Sequence, residues 1–307
     1  MKTHRFFIRP APPFRLDLTV WVLRRRAANR IDSWDGKTYR RAVVLEDRPV
    51  LVEVEQAVAG DSPEICAAIS GENVSPGLEP AARGALERLL GLRIDPADFY
   101  AMANRDVMLG PLASLFVGVR PPRFFSLFES IANGIIFQQL SLFAGVTIMN
   151  RLAEAYGARI ETPDGTRFSF PEPGALAGLS FEEVKRIGVT ANKAKAMVEA
   201  AGLIAAGGLS LSELESMDNA SARDRLVRLR GIGGWTADYV LLRGLGRLDV
   251  FPRNDIGARN SLNAWLSPEA KLSDSEVERR LSKWMPFAGF VYFHLLLRKL
   301  AREGLIT

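Results

Sequence analysis

The sequence predicts an α+β protein in which an N-terminal antiparallel sheet domain, residues 1–78, precedes a mostly α-helical region, residues 79–307. Three observations carry this reading. Up to about residue 75, apolar and polar residues alternate, the period-2 pattern of half-buried strands. From Glu79 onward the apolar residues recur at helical spacing. A chain of 307 residues, 48% of them hydrophobic, can bury a large core and is long enough for two domains.

Taken in order, Leu16, Leu18, Val20 and Val22 alternate along Arg15 to Leu23 and predict a strand. Asp35-Gly36 suits a hairpin turn before a strand over Lys37 to Leu45, and Val50 to Glu55 reads as another. One or two helices accompany this sheet. Pro80 fits the first turn of a helix over Ala81 to Leu90, and Asp95-Pro96 opens a further one. Phe124 to Tyr156 is helical with a break near Gln138-Gln139. The Pro- and Gly-containing stretch Arg159 to Gly174 reads as a loop, after which Leu176, Leu179, Val184 and Ile187 resume helical spacing. The sequence shows no internal repeat.

A net charge of +5 and a pI near 9.5 suit a polyanionic partner, though charge argues for attraction and not for a fold. The Arg24-Arg25-Arg26 cluster reads as a solvated face after a strand, with nonspecific DNA attraction as its further use. A single cysteine, Cys66, excludes an internal disulfide and a four-cysteine iron–sulfur cluster, and reads as a small core residue. With His4 and His294 as the only histidines, a zinc centre has too few ligands, and His294 within Val291 to Leu297 reads as a core histidine. Phe6-Phe7-Ile8, bracketed by Arg5 and Arg9, is too short for a signal core. Gly289 to Leu297 falls short of the roughly 20 residues that cross a bilayer. A cytoplasmic protein is the expectation.

Two segments carry the chemistry. In Arg230-Gly231-Ile232-Gly233-Gly234-Trp235-Thr236-Ala237-Asp238-Tyr239, Gly231 and Gly233 permit positive φ and let main-chain N–H groups approach an anion. Gly234 and Thr236 then start a helix whose positive end faces that anion. An arginine-rich helix bearing Arg223, Arg225 and Arg228 precedes the turn, and Asp249-Val250-Phe251-Pro252-Arg253-Asn254-Asp255 follows it. The last of these residues presents a carboxylate at the start of a helix from Ile256 to Asn260, where the helix dipole favours an anion. An N-cap role is the plain alternative for Asp255, but Asn254 can supply the cap and leave Asp255 free.

These segments resemble the helix-hairpin-helix superfamily of DNA base-excision glycosylases, and within it the bacterial 3-methyladenine DNA glycosylase II group. The resemblance extends to Phe137-Gln138-Gln139-Leu140-Ser141, Gly188 to Lys195, Trp284-Met285-Pro286-Phe287 and Phe293-His294, and so covers nearly the whole chain. It implies a monomeric enzyme that acts on double-stranded DNA near the nucleoid. The active-site cleft would lie between two helical subdomains, with the hairpin at 229–236.

Such an enzyme rotates a damaged nucleotide out of the stack, at a cost of a few kcal/mol. The resemblance assigns the hairpin amides of Gly231, Gly233 and Trp235 to a phosphate. It assigns the carbonyls of Val227, Leu229 and Ile232 to a structural Na+ or K+, with no other cofactor required. Leu140 occupies the position of a wedge that fills the vacated stack, although periodicity alone reads it as core. Gln138, Gln139, Arg253 and Arg259 are candidates for phosphate or opposite-strand contacts. Trp235 and Tyr239, four apart on one helix face, form one wall of the base pocket. Phe287 serves either that pocket or the core, and Trp21 either reaches it from the sheet domain or packs on a strand. A cationic alkylated purine would stack on these rings for about 1–2 kcal/mol.

Asp255 is the expected catalytic group. Breaking an N-glycosidic bond builds positive charge on the sugar, which a carboxylate stabilises. Bifunctional members of the superfamily carry a lysine where this chain has Trp235, and an indole cannot form a Schiff base. A monofunctional hydrolase follows, with Lys193 and Lys195 as surface or phosphate-contacting residues. Two other readings stay open at this stage: a related glycosylase for an oxidised or deaminated base, and a noncatalytic DNA-binding protein.

Overall fold

A computed structural model describes residues 1–267 and 271–306. Its N-terminal part is a five-stranded antiparallel sheet in the order β1-β5-β4-β3-β2, formed by β1 (Lys2–Ile8), β2 (Ser33–Trp34), β3 (Thr38–Leu45), β4 (Arg48–Val58) and β5 (Glu64–Gly71). The turn at Asp35-Gly36 links β2 to β3, with Gly36 at φ 102° and the Asp35 carboxylate accepting the Lys37 and Thr38 N–H groups. The chain turns helical at Glu79, as its spacing predicts: α2 (Glu79–Leu89), with Leu78, Ala82, Leu86 and Leu89, shares a core with the sheet.

The segment read as a strand over Arg15 to Leu23 is instead a helix, α1 (Leu16–Arg24). Leu16, Val20 and Leu23 face the sheet, while Leu18 and Val22 enter a second core shared with the C-terminal helices. A helix buried on two sides needs apolar residues at both i+2 and i+4, and so imitates alternation. Cys66 lies half-buried on β5 and not in the core.

Two helical cores follow. α3 (Ala97–Ala103) and α4 (Leu109–Leu115) join the second core. α5 (Leu127–Ile136) and α6 (Leu142–Tyr156) begin the other core, broken at 137–141 where the sequence predicts a break. Ser126 and Ser141 cap these two helices through their side chains. The stretch read as a loop contains a hairpin, β6 (Arg159–Thr162) with β7 (Gly165–Phe168), whose Gly165 sits at φ 109°. The turn shortens the segment into paired strands that period-2 analysis misses at four residues each.

The first helical core continues through α7 (Gly174–Ala177), α8 (Phe181–Lys185), α9 (Ala191–Ala205), α10 (Leu211–Ser216), α11 (Asn219–Val227) and α12 (Gly234–Val240). α12 runs on into a π turn over Leu241–Leu245. The second core is completed by α13 (Ile256–Leu266), α14 (Asp274–Ser282) and α15 (Ala288–Arg302), where Trp284, Phe290 and Phe293 are fully buried.

A buried polar cluster ties the sheet to α5. Arg41 on β3 bridges Asp32 and Glu129, and the Tyr39 hydroxyl donates to Asp32. Burial pushes the Glu129 carboxyl up, against the opposing pull of the Arg41 guanidinium. His294 is fully buried as expected, its Nδ1 3.0 Å from the Phe290 carbonyl. No helix among the described residues is long and apolar enough to cross a membrane.

Candidate active site

A cleft of about 730 Å³ opens between the two helical cores. One wall comes from the α5–α6 junction and the start of α12, the other from the start of α13 and the middle of α15. Arg25, at the end of α1, also lines it.

The turn between α11 and α12 spans residues 228–233. Gly231 takes φ 74°, a conformation costly for any residue with a Cβ, and an added Cβ would meet Ala196 at 2.8 Å. Gly233 is different: its φ of −91° is ordinary, so only one of the two glycines is needed for positive φ. Gly233 is the exposed N-cap of α12 and Gly234 its first residue. The helix therefore presents free N–H groups at a solvent-facing end.

Gln138 turns inward to this turn. Its Nε2 donates to the Gly231 carbonyl at 2.7 Å and to Thr236 Oγ1 at 2.9 Å. Gln138 and the buried Thr236 thus hold the turn in shape and do not reach outward as expected, because the donor side of that amide is spent internally. Gln139, at φ 54°, and Leu140, 38% exposed, stand out at the cleft rim. The exposure removes the core reading of Leu140. Lys193 is half-buried, and its ammonium donates to the carbonyls of Ile136 and Gln138, closing the C-terminal end of α5.

Asp255 lies on the opposite wall and is itself the N-cap of α13, a correction to the expectation that Asn254 caps. Its Oδ1 accepts the Ala258 N–H at 2.8 Å, and its Oδ2 accepts the Trp235 indole N–H at 3.1 Å. Capping does not withdraw the carboxylate from the cleft, because one oxygen serves the helix while the other faces Trp235. Trp235 stacks on Tyr239 with ring centroids 5.7 Å apart and planes 21° apart. Hairpin, aromatic wall and carboxylate therefore meet in one place.

Other predicted residues fall elsewhere. Phe287 packs edge-on against Phe99 in the second core, 6.0 Å between centroids, and does not line the cleft. Trp21 lies on α1 beneath the Arg24 guanidinium, at 5.1 Å, and also stays outside it. Arg253 is exposed and paired with Glu278, and Arg259 with Asp274. Arg223 and Arg225 are engaged by Asp238 and Glu213 at 2.9 and 3.0 Å, and Arg230 by Glu199, while Arg228 is exposed with no ion-pair partner among the described residues. Among the described residues the Val227 and Ile232 carbonyls receive no main-chain hydrogen bond, whereas that of Leu229 accepts the Ile232 N–H at 3.2 Å.

Arg25 and Tyr292 are among the cleft residues that sequence reasoning misses. Arg25 is buried and not solvated, because α1 ends there in a left-handed residue (φ 55°) that turns the side chain inward. Tyr292, on α15, lies within an apolar run that reads as core. Nothing local distinguishes either residue.

Comparison with known proteins agrees with this arrangement. Residues 132–287 match the model of the HhH-GPD superfamily base excision DNA repair proteins. A DNA-3-methyladenine glycosylase from Bacillus subtilis is 31% identical over 66% of this chain and 66% of its own, so just under two thirds of that relative is spanned. DNA-3-methyladenine glycosylase 2 of Escherichia coli is 25% identical over 92% of this chain and 94% of its own. Among solved structures, a 3-methyladenine DNA glycosylase from Archaeoglobus fulgidus superposes with a TM-score of 0.84 at 26% identity, covering 98% of this chain and 100% of the other. With the hairpin, cleft and carboxylate in these positions and more than half of the chain inside the matched region, the protein belongs to the HhH-GPD superfamily of base excision DNA repair proteins.

Proposed function

We propose that this protein is a monofunctional DNA glycosylase that flips alkylated purines out of duplex DNA and hydrolyses their N-glycosidic bond. One observation carries the reading: the Asp255 carboxylate, held by the Ala258 N–H and the Trp235 indole, lies beside the stacked Trp235 and Tyr239 in a cleft next to the hairpin. The names of the relatives from Bacillus subtilis and Escherichia coli support the alkylated-base assignment.

In this reading the hairpin N–H groups grip a phosphate while Leu140 enters the stack behind the extruded nucleotide. The base slides against Trp235. A carboxylate about 4 Å from the sugar stabilises its developing charge by ~4 kcal/mol at an effective dielectric near 20, nearly a thousandfold in rate. The C–N bond breaks with its electron pair leaving on the alkylated base, which discharges that base's positive charge; a water oxygen bonds to the sugar carbon and its proton passes to solvent, leaving an intact strand with an abasic site. The Val227 and Ile232 carbonyls, which receive no main-chain hydrogen bond among the described residues, together with that of Leu229 suit a Na+ or K+ ion. Such an ion would add fixed positive charge beside the phosphate. The indole at position 235 cannot form a Schiff base, and the amine lining the cleft, Lys299, sits exposed at its rim. Action as a monomer near the nucleoid in the cytoplasm belongs to the same reading.

The test is base release from duplex DNA treated with dimethyl sulfate, resolved by chromatography, with strand integrity followed on a gel. Wild-type protein should release methylated purines and leave the strand whole until base or heat is applied. Asp255→Asn should lose release by roughly a thousandfold while still binding an abasic duplex. Equal release by both proteins removes Asp255 from the mechanism, and direct nicking by wild type ends the monofunctional reading.

A further inference from the structure

The floor of the cleft carries polar groups that excision itself does not use. Arg25, 8% exposed, lies over the Phe137 ring at 4.4 Å. Its Nη1 donates to the Tyr239 hydroxyl at 3.0 Å and its Nη2 to Asn133 Oδ1 at 3.0 Å. A guanidinium only donates, so the Tyr239 oxygen is the acceptor and its phenolic proton is left for another partner. No protein acceptor meets that proton among the described residues. Tyr292 brings a second phenol from the opposite wall. It is 8% exposed, lines the cleft, and its hydroxyl has no protein partner among the described residues.

A largely buried phenol usually finds a hydrogen-bond partner, and both of these tyrosines line the cleft. Burial, with Tyr239 and Asp255 nearby, pushes the Tyr292 phenol well above its ordinary range, so it remains an O–H donor. Among the described residues neither phenol donates to Asp255, whose donors are Ala258 and Trp235, or to Thr236 Oγ1, which accepts from Gln138. The floor therefore presents two phenolic protons beside a fixed positive charge.

We propose that Tyr239 and Tyr292 form a donor edge that selects purines with an oxygen at position 6 over those with an amino group there. The O6 of a guanine- or hypoxanthine-type base accepts hydrogen bonds, whereas the N6 amino group of an adenine-type base is itself a donor. An amino group placed against two donors leaves buried polar groups unpaired, which is how a site built for hydrogen bonding rejects an analogue. The inference rests on the excision reading for its biological substrate, but the edge itself is a binding property.

Titration calorimetry with the full chain tests it, using free hypoxanthine and free adenine as probes. Hypoxanthine should bind roughly five- to tenfold more tightly, the worth of one satisfied hydrogen bond. Tyr292→Phe, which removes a single oxygen, should bring the two bases within about twofold of each other. Equal affinities in wild type, no binding of either base, or an unchanged preference in Tyr292→Phe overturns the proposal. In methylated DNA, where both products form in one tube, the variant should lower the ratio of 7-methylguanine to 3-methyladenine released by roughly fivefold. An equal fall in both products means Tyr292 merely shapes the cleft, and overturns it. Wild type that prefers hypoxanthine yet releases no methylated base defeats the excision reading and leaves the donor edge standing.

Discussion

Gly134 on α5 meets Thr236 on α12, and the closeness of this crossing can be tested by one methyl group. A Cβ at residue 134 would stand 2.5 Å from Thr236 Cγ2 and 3.8 Å from its carbonyl oxygen. Carbon pairs are at their best near 3.5–4.0 Å, so Gly134→Ala demands about 1 Å of movement. Thr236 gives way reluctantly. It is β-branched, 1% exposed, and its Oγ1 accepts from Gln138 at 2.9 Å. Overpacking of this kind costs about 1–3 kcal/mol, and the better helix propensity of alanine returns about 1 kcal/mol. Net destabilisation of about 1 kcal/mol, the middle of the resulting range of about 0–2, should appear in urea unfolding followed by circular dichroism. Thr236→Ser deletes the offending methyl and keeps the hydroxyl, so Gly134→Ala with Thr236→Ser should show a favourable coupling of about 1–3 kcal/mol. Because α12 carries Trp235, the single variant should also lose base release by up to about a hundredfold, recovered in the pair. Full stability of Gly134→Ala, or no rescue by serine, refutes the reasoning.

Gly231→Ala forces a Cβ into φ 74° and against Ala196, and should cost about 1–2 kcal/mol while weakening affinity for an abasic duplex. Unchanged affinity would free the turn from phosphate binding. Burial holds the His294 imidazole down at about 4. The unfolded chain, near its ordinary 6.5, binds a proton that the native chain refuses between those values. Stability is therefore fully present above about pH 6.5 and falls by up to about 3 kcal/mol as pH drops through that window. His294→Leu should flatten that part of a stability-versus-pH curve, and an unaltered curve would discount the histidine. Arg41→Met leaves Asp32 and Glu129 as unpaired buried carboxylates and should cost about 3–5 kcal/mol in a denaturant melt. Adding Glu129→Gln should recover part of that loss, and its failure to do so would argue against charge burial as the cause.

What could be read from the sequence was local. The hairpin, the Asp35-Gly36 turn and the break at Gln138-Gln139 each arise from a few neighbouring residues, and backbone physics acts on such short windows. The alternation at Leu16 to Val22 misled for a tertiary reason: α1 is wedged between two cores, so its polar face is missing. Phe287 reads equally as pocket or core and Trp21 as pocket or strand packing, and this chain packs them, half-buried, against Phe99 and Arg24 outside the cleft. Asp255 shows the limit of weighing a local role against a functional one. A carboxylate has two oxygens, and here capping of α13 and the bond to Trp235 use different ones.

The cleft floor was out of reach for a further reason. Arg25 and Tyr239 are 214 residues apart, and their contact depends on a left-handed turn at the end of a helix mistaken for a strand. Such a pairing has no period and no motif. It exists only once the sheet domain, α12 and α15 have packed together, and discrimination among bases requires groups from more than one side of the ligand. A site's chemistry can therefore be written in a motif of a few residues, while its selectivity is written in the packing. Relatives that share the hairpin and the carboxylate are for this reason expected to differ at the residues equivalent to 25 and 292, and to differ in the bases they prefer.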